Sequence, residues 1–143
     1  MQEIAFGCDH AGHSLKAAIV EIIQARGFKV LDFGTNSTDL VDYPDFASRV
    51  CESILNQQAV QGVLICGTGI GMSIAANRYK GIRAALCTSV EQTELARLHN
   101  DANILCLGAR ILDNETAIAC LNAFLGTSFE GERHALRIAK LDV

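Results

Sequence analysis

Along this chain, short continuous apolar runs alternate with longer segments whose apolar positions recur every third or fourth residue. Ile4-Ala5-Phe6 predicts a first strand, followed by a helix from about Ser14 to Arg26 that stops at Gly27. Lys29 to Phe33 predicts a second strand, closed by the polar turn Thr35-Asn36-Ser37-Thr38. A helix from about Pro44 to Gln57 follows, its proline early in the first turn, where the missing N–H is tolerated. Val63-Leu64-Ile65 predicts a third strand buried on both faces. It runs directly into the loop Gly67-Thr68-Gly69-Ile70-Gly71 and then a helix to about Asn77. Ile82 to Leu86 gives a fourth strand, and a helix from Ser89 to His99 opens with a good cap residue. Asn103 to Leu107 is the fifth strand, and helices from about Asn114 to Leu125 and from about Glu132 to Leu141 close the chain.

Five strands, each followed by a helix, define an α/β fold with a five-stranded parallel sheet covered on both faces. Ligands of such sheets sit beyond the carboxyl ends of the strands, at the topological switch point. The strand ends therefore supply the suspects. Cys8-Asp9-His10 follows the first strand, Cys66 and the glycine loop follow the third, His99-Asn100 immediately precedes the fifth, and Gly108-Ala109-Arg110 follows it.

At 143 residues the chain is one domain, long enough to bury a core without disulfide staples. Half the residues are hydrophobic, a fifth are charged and proline occurs once, which excludes disorder and collagen-like repeats. A net charge of −4 argues against a nucleic-acid surface. No apolar run approaches a membrane span of about 18 residues, and Met1-Gln2-Glu3-Ile4 is unlike a signal peptide. Cys8, Cys51, Cys66, Cys87, Cys106 and Cys120 show no C-x-x-C spacing, so the zinc-finger and thioredoxin readings fail. Five of the six fall in apolar runs or predicted helices, as reduced thiols acting as small hydrophobes do. The expected compartment is the cytoplasm. A mean hydropathy of +0.23 suggests apolar surface beyond one small core, hence a homo-oligomer.

Three glycines at alternate positions leading into a helix let backbone N–H groups face an oxygen anion. The familiar versions of this device fail here. A dinucleotide fingerprint and a cysteine phosphatase would both need another residue where Met72 stands, and a P-loop would need Gly-Lys-Ser/Thr. A phospho-receiver would need an acid at Cys66 and a lysine at Arg110. A tight turn without chemistry is the plain alternative. Cys66 at the mouth of this loop is placed where amide N–H groups stabilise a thiolate, which makes it a base or nucleophile. As a lone cysteine it would be a buried strand residue. Thr68 adds a hydroxyl that can relay a proton or simply cap the next helix.

Asp9-His10 pairs a carboxylate with an imidazole, suited to proton transfer, with an ordinary turn as the competing account. His99-Asn100 suits either a helix C-terminal cation and cap or a site. Arg133 and Arg137, four apart, project from one helix face and suit a phosphate, or a solvated surface. His13 and His134 read as surface residues.

In combination, Phe6-Gly7-Cys8-Asp9-His10-Ala11-Gly12, Asp42-Tyr43-Pro44, Cys66 through Asn77, His99-Asn100-Asp101-Ala102-Asn103 and Phe129-Glu130-Gly131-Glu132-Arg133-His134 resemble the ribose-5-phosphate and galactose-6-phosphate isomerases. The likeness runs nearly end to end. It implies a Rossmann-like three-layer α/β/α sandwich, no metal and no organic cofactor. It also implies a homodimer or tetramer whose active sites lie at the subunit interface, with the helix at about 132–141 contributing to dimer and phosphate site. The family's proton acceptor falls on Cys66 and its ring-opening acid on His99. Its substrate contacts fall on Asp9, His10, Gly67, Thr68, Gly69, Ile70, Gly71, Asn100, Arg110, Arg133 and Arg137. Members without the cysteine carry a glutamate further along the loop; Met72 stands there, so this chain resembles the cysteine branch.

The implied reaction interconverts D-ribose 5-phosphate and D-ribulose 5-phosphate through a cis-enediolate, in the non-oxidative pentose phosphate pathway. His99 would protonate the ring oxygen, Asp9 would position the hydroxyl that loses its proton, Cys66 would carry the proton between carbons, and Thr68 would shuttle it between oxygens. The alternatives are the same chemistry on allose 6-phosphate or galactose 6-phosphate, and a non-catalytic phosphosugar-binding module. A redox-sensing thiol protein would need a resolving cysteine at recognisable spacing.

Overall fold

The computed structural model describes residues 1–142. In chain order the elements are β1 (Glu3–Cys8), α1 (His13–Ala25), β2 (Lys29–Asp32), α2 (Tyr43–Leu55), β3 (Gln61–Cys66), α3 (Ile70–Ala76), β4 (Ala84–Leu86), α4 (Val90–Asn100), β5 (Ile104–Gly108), α5 (Asn114–Gly126) and α6 (Arg133–Ala139). Every expected strand and helix is present, with ends displaced by no more than two residues. β4 is shorter than expected and starts at Ala84 rather than Ile82. The Arg83 N–H donates to the Asn103 side chain and so leaves the strand ladder.

All strands are parallel, in the order β2-β1-β3-β5-β4. The chain builds outward from β1 to β2, then starts again at β3 on β1's other side. The switch point is therefore between β1 and β3, and Cys8 and Cys66 end the two strands that flank it.

Alternation along each strand sends side chains to two separate cores. Ile4, Phe6, Val63, Ile65, Leu105 and Leu107 pack with Leu15, Ile19 and Ile23 of α1 and Leu121 and Phe124 of α5. Ala5, Leu64, Cys66, Ile104 and Cys106 face the opposite layer, with Phe46 and Val50 of α2 and Met72 of α3. The three central strands are buried on both faces, which is why their sequences read as continuous apolar runs rather than alternating ones. The result is the expected Rossmann-like α/β/α sandwich. Ser89 caps α4 by accepting the Gln92 N–H, and Asp113 caps α5 in the same way from Thr116. All six cysteines are free and buried. Among the described residues, no helix is long and apolar enough to cross a membrane.

Candidate active site

Three loops meet at the carboxyl edge of the sheet. Backbone hydrogen bonds stitch them together: Asp9 N–H to the Ile65 carbonyl (3.2 Å), Ala109 N–H to Cys66 (2.9 Å) and Arg110 N–H to Gly67 (2.9 Å). The glycines permit this closeness. A Cβ on Gly108 would stand 2.5 Å from the Thr68 carbonyl oxygen, and Gly69 turns through the left-handed region at φ +78°. That turn aims the Gly69 N–H at the Cys66 sulfur, 3.2 Å away. The Thr68 hydroxyl accepts from Ile70 N–H (3.2 Å) and is otherwise exposed.

Asp9 is buried, and its Oδ1 accepts the N–H groups of Ala11 and Gly12, both at 3.0 Å. It is a turn residue as well as a candidate, because its second oxygen makes no hydrogen bond among the described residues. His10 accepts the Val41 N–H on Nδ1 (3.3 Å), which leaves Nε2 for a ligand. The Arg110 guanidinium comes within 3.3 Å of the place a Gly67 Cβ would take, and the Tyr43 ring covers Gly71. The sequence reading gave Tyr43 no role of its own.

The remaining candidates gather elsewhere. Helix α4 runs back from the carboxyl end of β4 to the amino end of β5, so His99 and Asn100 end at the opposite edge of the sheet. The length of β5 separates them from Cys66, roughly 13 Å along the strand axis. Placing His99-Asn100 among the strand-end suspects beside Cys66 is thus corrected: one chain does not bring them together. Arg137 joins them instead. With His134, Ile138 and Leu141 it lines a cavity of about 290 Å³ against His99 and Asn100. Arg133 lies next to it, 3.7 Å from Glu130.

His134 is a second correction. It is not a surface residue: it is only 6% exposed, its ring stacks on His99 with centroids 4.4 Å apart, and its Nε2 has no hydrogen-bond partner. Burial first, then the neighbouring Arg133 and His99 charges, hold its pKa below the usual histidine range. The Glu130 carboxylate lies 3.9 Å from both Nε2 atoms. Glu130 and His134 stand in the C-terminal motif that carries the family resemblance, but neither was given a role; the packing of α6 on α4 buries His134, while Glu130 stays exposed. His99, Glu130 and His134 are the described residues whose donor atoms cluster closely enough to hold a metal ion. The rings would first have to swing. Their planes are only 19° apart, so the nitrogens point side by side, and 3.9 Å exceeds the spacing of about 3.3 Å between donors around tetrahedral zinc.

Residues 4–141 match the Ribose/Galactose Isomerase family. The chain is 49% identical to a putative sugar phosphate isomerase of Rickettsia bellii, over 98% of this chain and 97% of that one. It is 46% identical to ribose-5-phosphate isomerase B of Escherichia coli, over 96% and 93% respectively. A crystal structure of a ribose 5-phosphate isomerase from Thermotoga maritima superposes with a TM-score of 0.95 at 50% identity, covering 99% of this chain and 97% of that one. A parallel α/β sandwich with a thiol at its switch point, matched at this level throughout its length, defines an isomerase. The chain belongs to the ribose/galactose isomerase family.

Proposed function

We propose that the chain interconverts D-ribose 5-phosphate and D-ribulose 5-phosphate, as the names of its close relatives say of them. The observation that carries the reading is the Cys66 sulfur receiving the Gly69 N–H at the switch point, with the Asp9 carboxylate and His10 ring on the adjoining strand end. An S⁻ accepts such a bond better than an S–H.

The site is composite. The Cys66 half and the His99 half lie on opposite sheet edges of one chain, which supports a reading in which a second copy presents its His99 half to the first copy's Cys66 half. Both halves carry apolar surface suited to that contact: Leu40, Ile70 and Ile74 near the loop, Leu136 and Leu141 on and after α6. A homodimer is the smallest assembly that completes the site.

In it, His99 donates a proton to the ring oxygen of the closed sugar while the anomeric hydroxyl gives up its proton toward the free oxygen of Asp9. The C1–O bond of the ring breaks and the aldehyde forms. Cys66 thiolate then removes the C2 proton and the charge passes to O1, giving the cis-enediolate. The same proton returns to C1, and the Thr68 hydroxyl moves the O2 proton to O1. Gly69 and Ile70 amides are already committed to Cys66 and Thr68, so the oxyanion falls to amides of the first turn of α3, Gly71 among them. Arg110, Arg133, Arg137 and His10 hold the phosphate, and Asn100 a hydroxyl. Such local positive charge lets an acidic chain bind an anion. The reaction places the chain in the non-oxidative pentose phosphate pathway, in the cytoplasm.

Conversion of ribose 5-phosphate in EDTA, measured beside allose 6-phosphate and galactose 6-phosphate, tests the reading. Turnover dominated by the five-carbon sugar supports it. Turnover only of a six-carbon sugar moves the substrate, and no turnover of any overturns the catalytic reading.

A further inference from the structure

His99 does not stand alone at the end of α4. Its side chain is half-exposed, and the face of its ring lies against His134 with the planes 19° apart. His134 is buried with an unpartnered Nε2, an unfavourable state for a polar group. The Glu130 carboxylate stands in front of both rings, one oxygen 3.9 Å from each Nε2. The backbone that carries it is anchored, since the Glu130 N–H donates to the Leu98 carbonyl (3.1 Å) in the last turn of α4. The loop that carries it turns through Gly131 at φ +76° and Glu132 at φ +54° before α6 begins.

Two stacked imidazoles resist carrying two protons, because like charges that close repel. Burial keeps the proton off His134. The Glu130 carboxylate faces the His99 ring as well. The other charges around His99 are Arg133 and Arg137 of α6, while Arg97 and Asp101 of α4 itself pair with each other at 2.8 Å. Glu130 is the acidic group that offsets the α6 arginines at this ring.

On the reading of His99 as the ring-opening acid, we propose that His134 and Glu130 are positioning residues for it: the buried ring fixes the plane of the His99 imidazole, and the carboxylate holds its protonated form. The proton leaves His99 for the sugar ring oxygen as the C1–O bond breaks, and Glu130 and His134 touch neither reacting carbon.

An aldose phosphate without the 4-hydroxyl cannot close a furanose ring, so 4-deoxyribose 5-phosphate needs no ring opening and isolates the step. Glu130→Gln and His134→Ala are expected to lower kcat on ribose 5-phosphate about tenfold or more, within the range of an acid–base contribution, with KM changed less than about threefold, whereas His134→Phe, which keeps a ring against His99, is expected to stay near wild type. Both slowed variants are expected to turn over the 4-deoxy sugar at wild-type rate. Equal losses on both sugars, or no loss on ribose 5-phosphate, overturn the proposal. His99→Asn separates it from the reading beneath. If that variant keeps full activity on ribose 5-phosphate, His99 is not the acid; if it is slow while Glu130→Gln and His134→Ala match wild type, only the positioning role fails.

Discussion

The Gly69 N–H reaches the Cys66 sulfur at 3.2 Å because the Gly69 backbone lies in the left-handed region, at φ +78°. A Cβ there would meet Leu86 Cδ1 at 2.6 Å and the Leu107 carbonyl carbon at 2.9 Å, and the latter is backbone of β5 that cannot step aside. Gly69→Ala therefore displaces the loop and misaims the amide. The added strain is about 1–2 kcal/mol for the left-handed residue plus about 1–3 kcal/mol for the overpacking, less than the stability of a typical domain. The expected outcome is a folded protein by circular dichroism whose kcat falls by about a hundredfold or more, on the scale of a lost preorganised donor. A variant with near-native kcat would show that the contact is incidental.

Thiol labelling separates Cys66 from the other cysteines. Burial pushes the Cys8 thiol up to about 11 and Cys51 up to about 12, and Cys106 is fully buried. A thiol with a pKa of 11 is about one part in a thousand thiolate at pH 8, and the thiolate is the species that alkylates. Iodoacetamide at pH 8 is thus expected to modify Cys66 first, with ribose 5-phosphate slowing the reaction and activity lost in step. Peptide mass spectrometry reads the order; prior labelling of Cys8 or Cys51 would remove the thiolate role from Cys66. Cys66→Ala should abolish turnover while leaving sugar-phosphate binding by calorimetry within a few-fold of wild type.

A composite site can be complemented. Cys66→Ala and His99→Asn each inactivate every site of their own homodimer. Mixed and refolded together in equal amounts, half the dimers are heterodimers, each with one intact site and one doubly damaged site, so about a quarter of wild-type activity returns. No recovery, with heterodimers demonstrated by native mass spectrometry, would place both residues in one chain's site against the topology.

What could be read in the sequence follows from where the determinants lie. The strands β1, β3 and β5 were legible because burial on both faces demands uninterrupted apolar residues. Cys66 was legible because a strand, a thiol and alternating glycines are adjacent in sequence. His99 was visible as a candidate, but its position was not: which end of the sheet it occupies depends on α4 running antiparallel to β5. His134 was misread because a single histidine near the C-terminus looks the same whether or not another helix covers it. Its burial is a property of the α4–α6 packing, 35 residues from His99 in sequence.

The buried His134 gives the fold a pH dependence of definite sign. Its folded pKa lies below the ordinary value of 6.5, chiefly through burial and the nearby Arg133. Below about pH 6.5 the unfolded chain therefore binds a proton that the folded chain resists, and stability falls as pH falls. Above that pH both states are neutral and the contribution is complete. His134→Phe keeps a ring of similar size under His99 but removes the titration. The expected result is a smaller fall in Tm between pH 7.5 and pH 5.5 for His134→Phe than for wild type, read by scanning calorimetry at constant ionic strength. Carboxylates that titrate in the same range are common to both proteins and cancel in the comparison. Parallel Tm profiles would mean that His134 binds its proton equally well in the folded and unfolded chains, and that the stacked pair accepts a second charge.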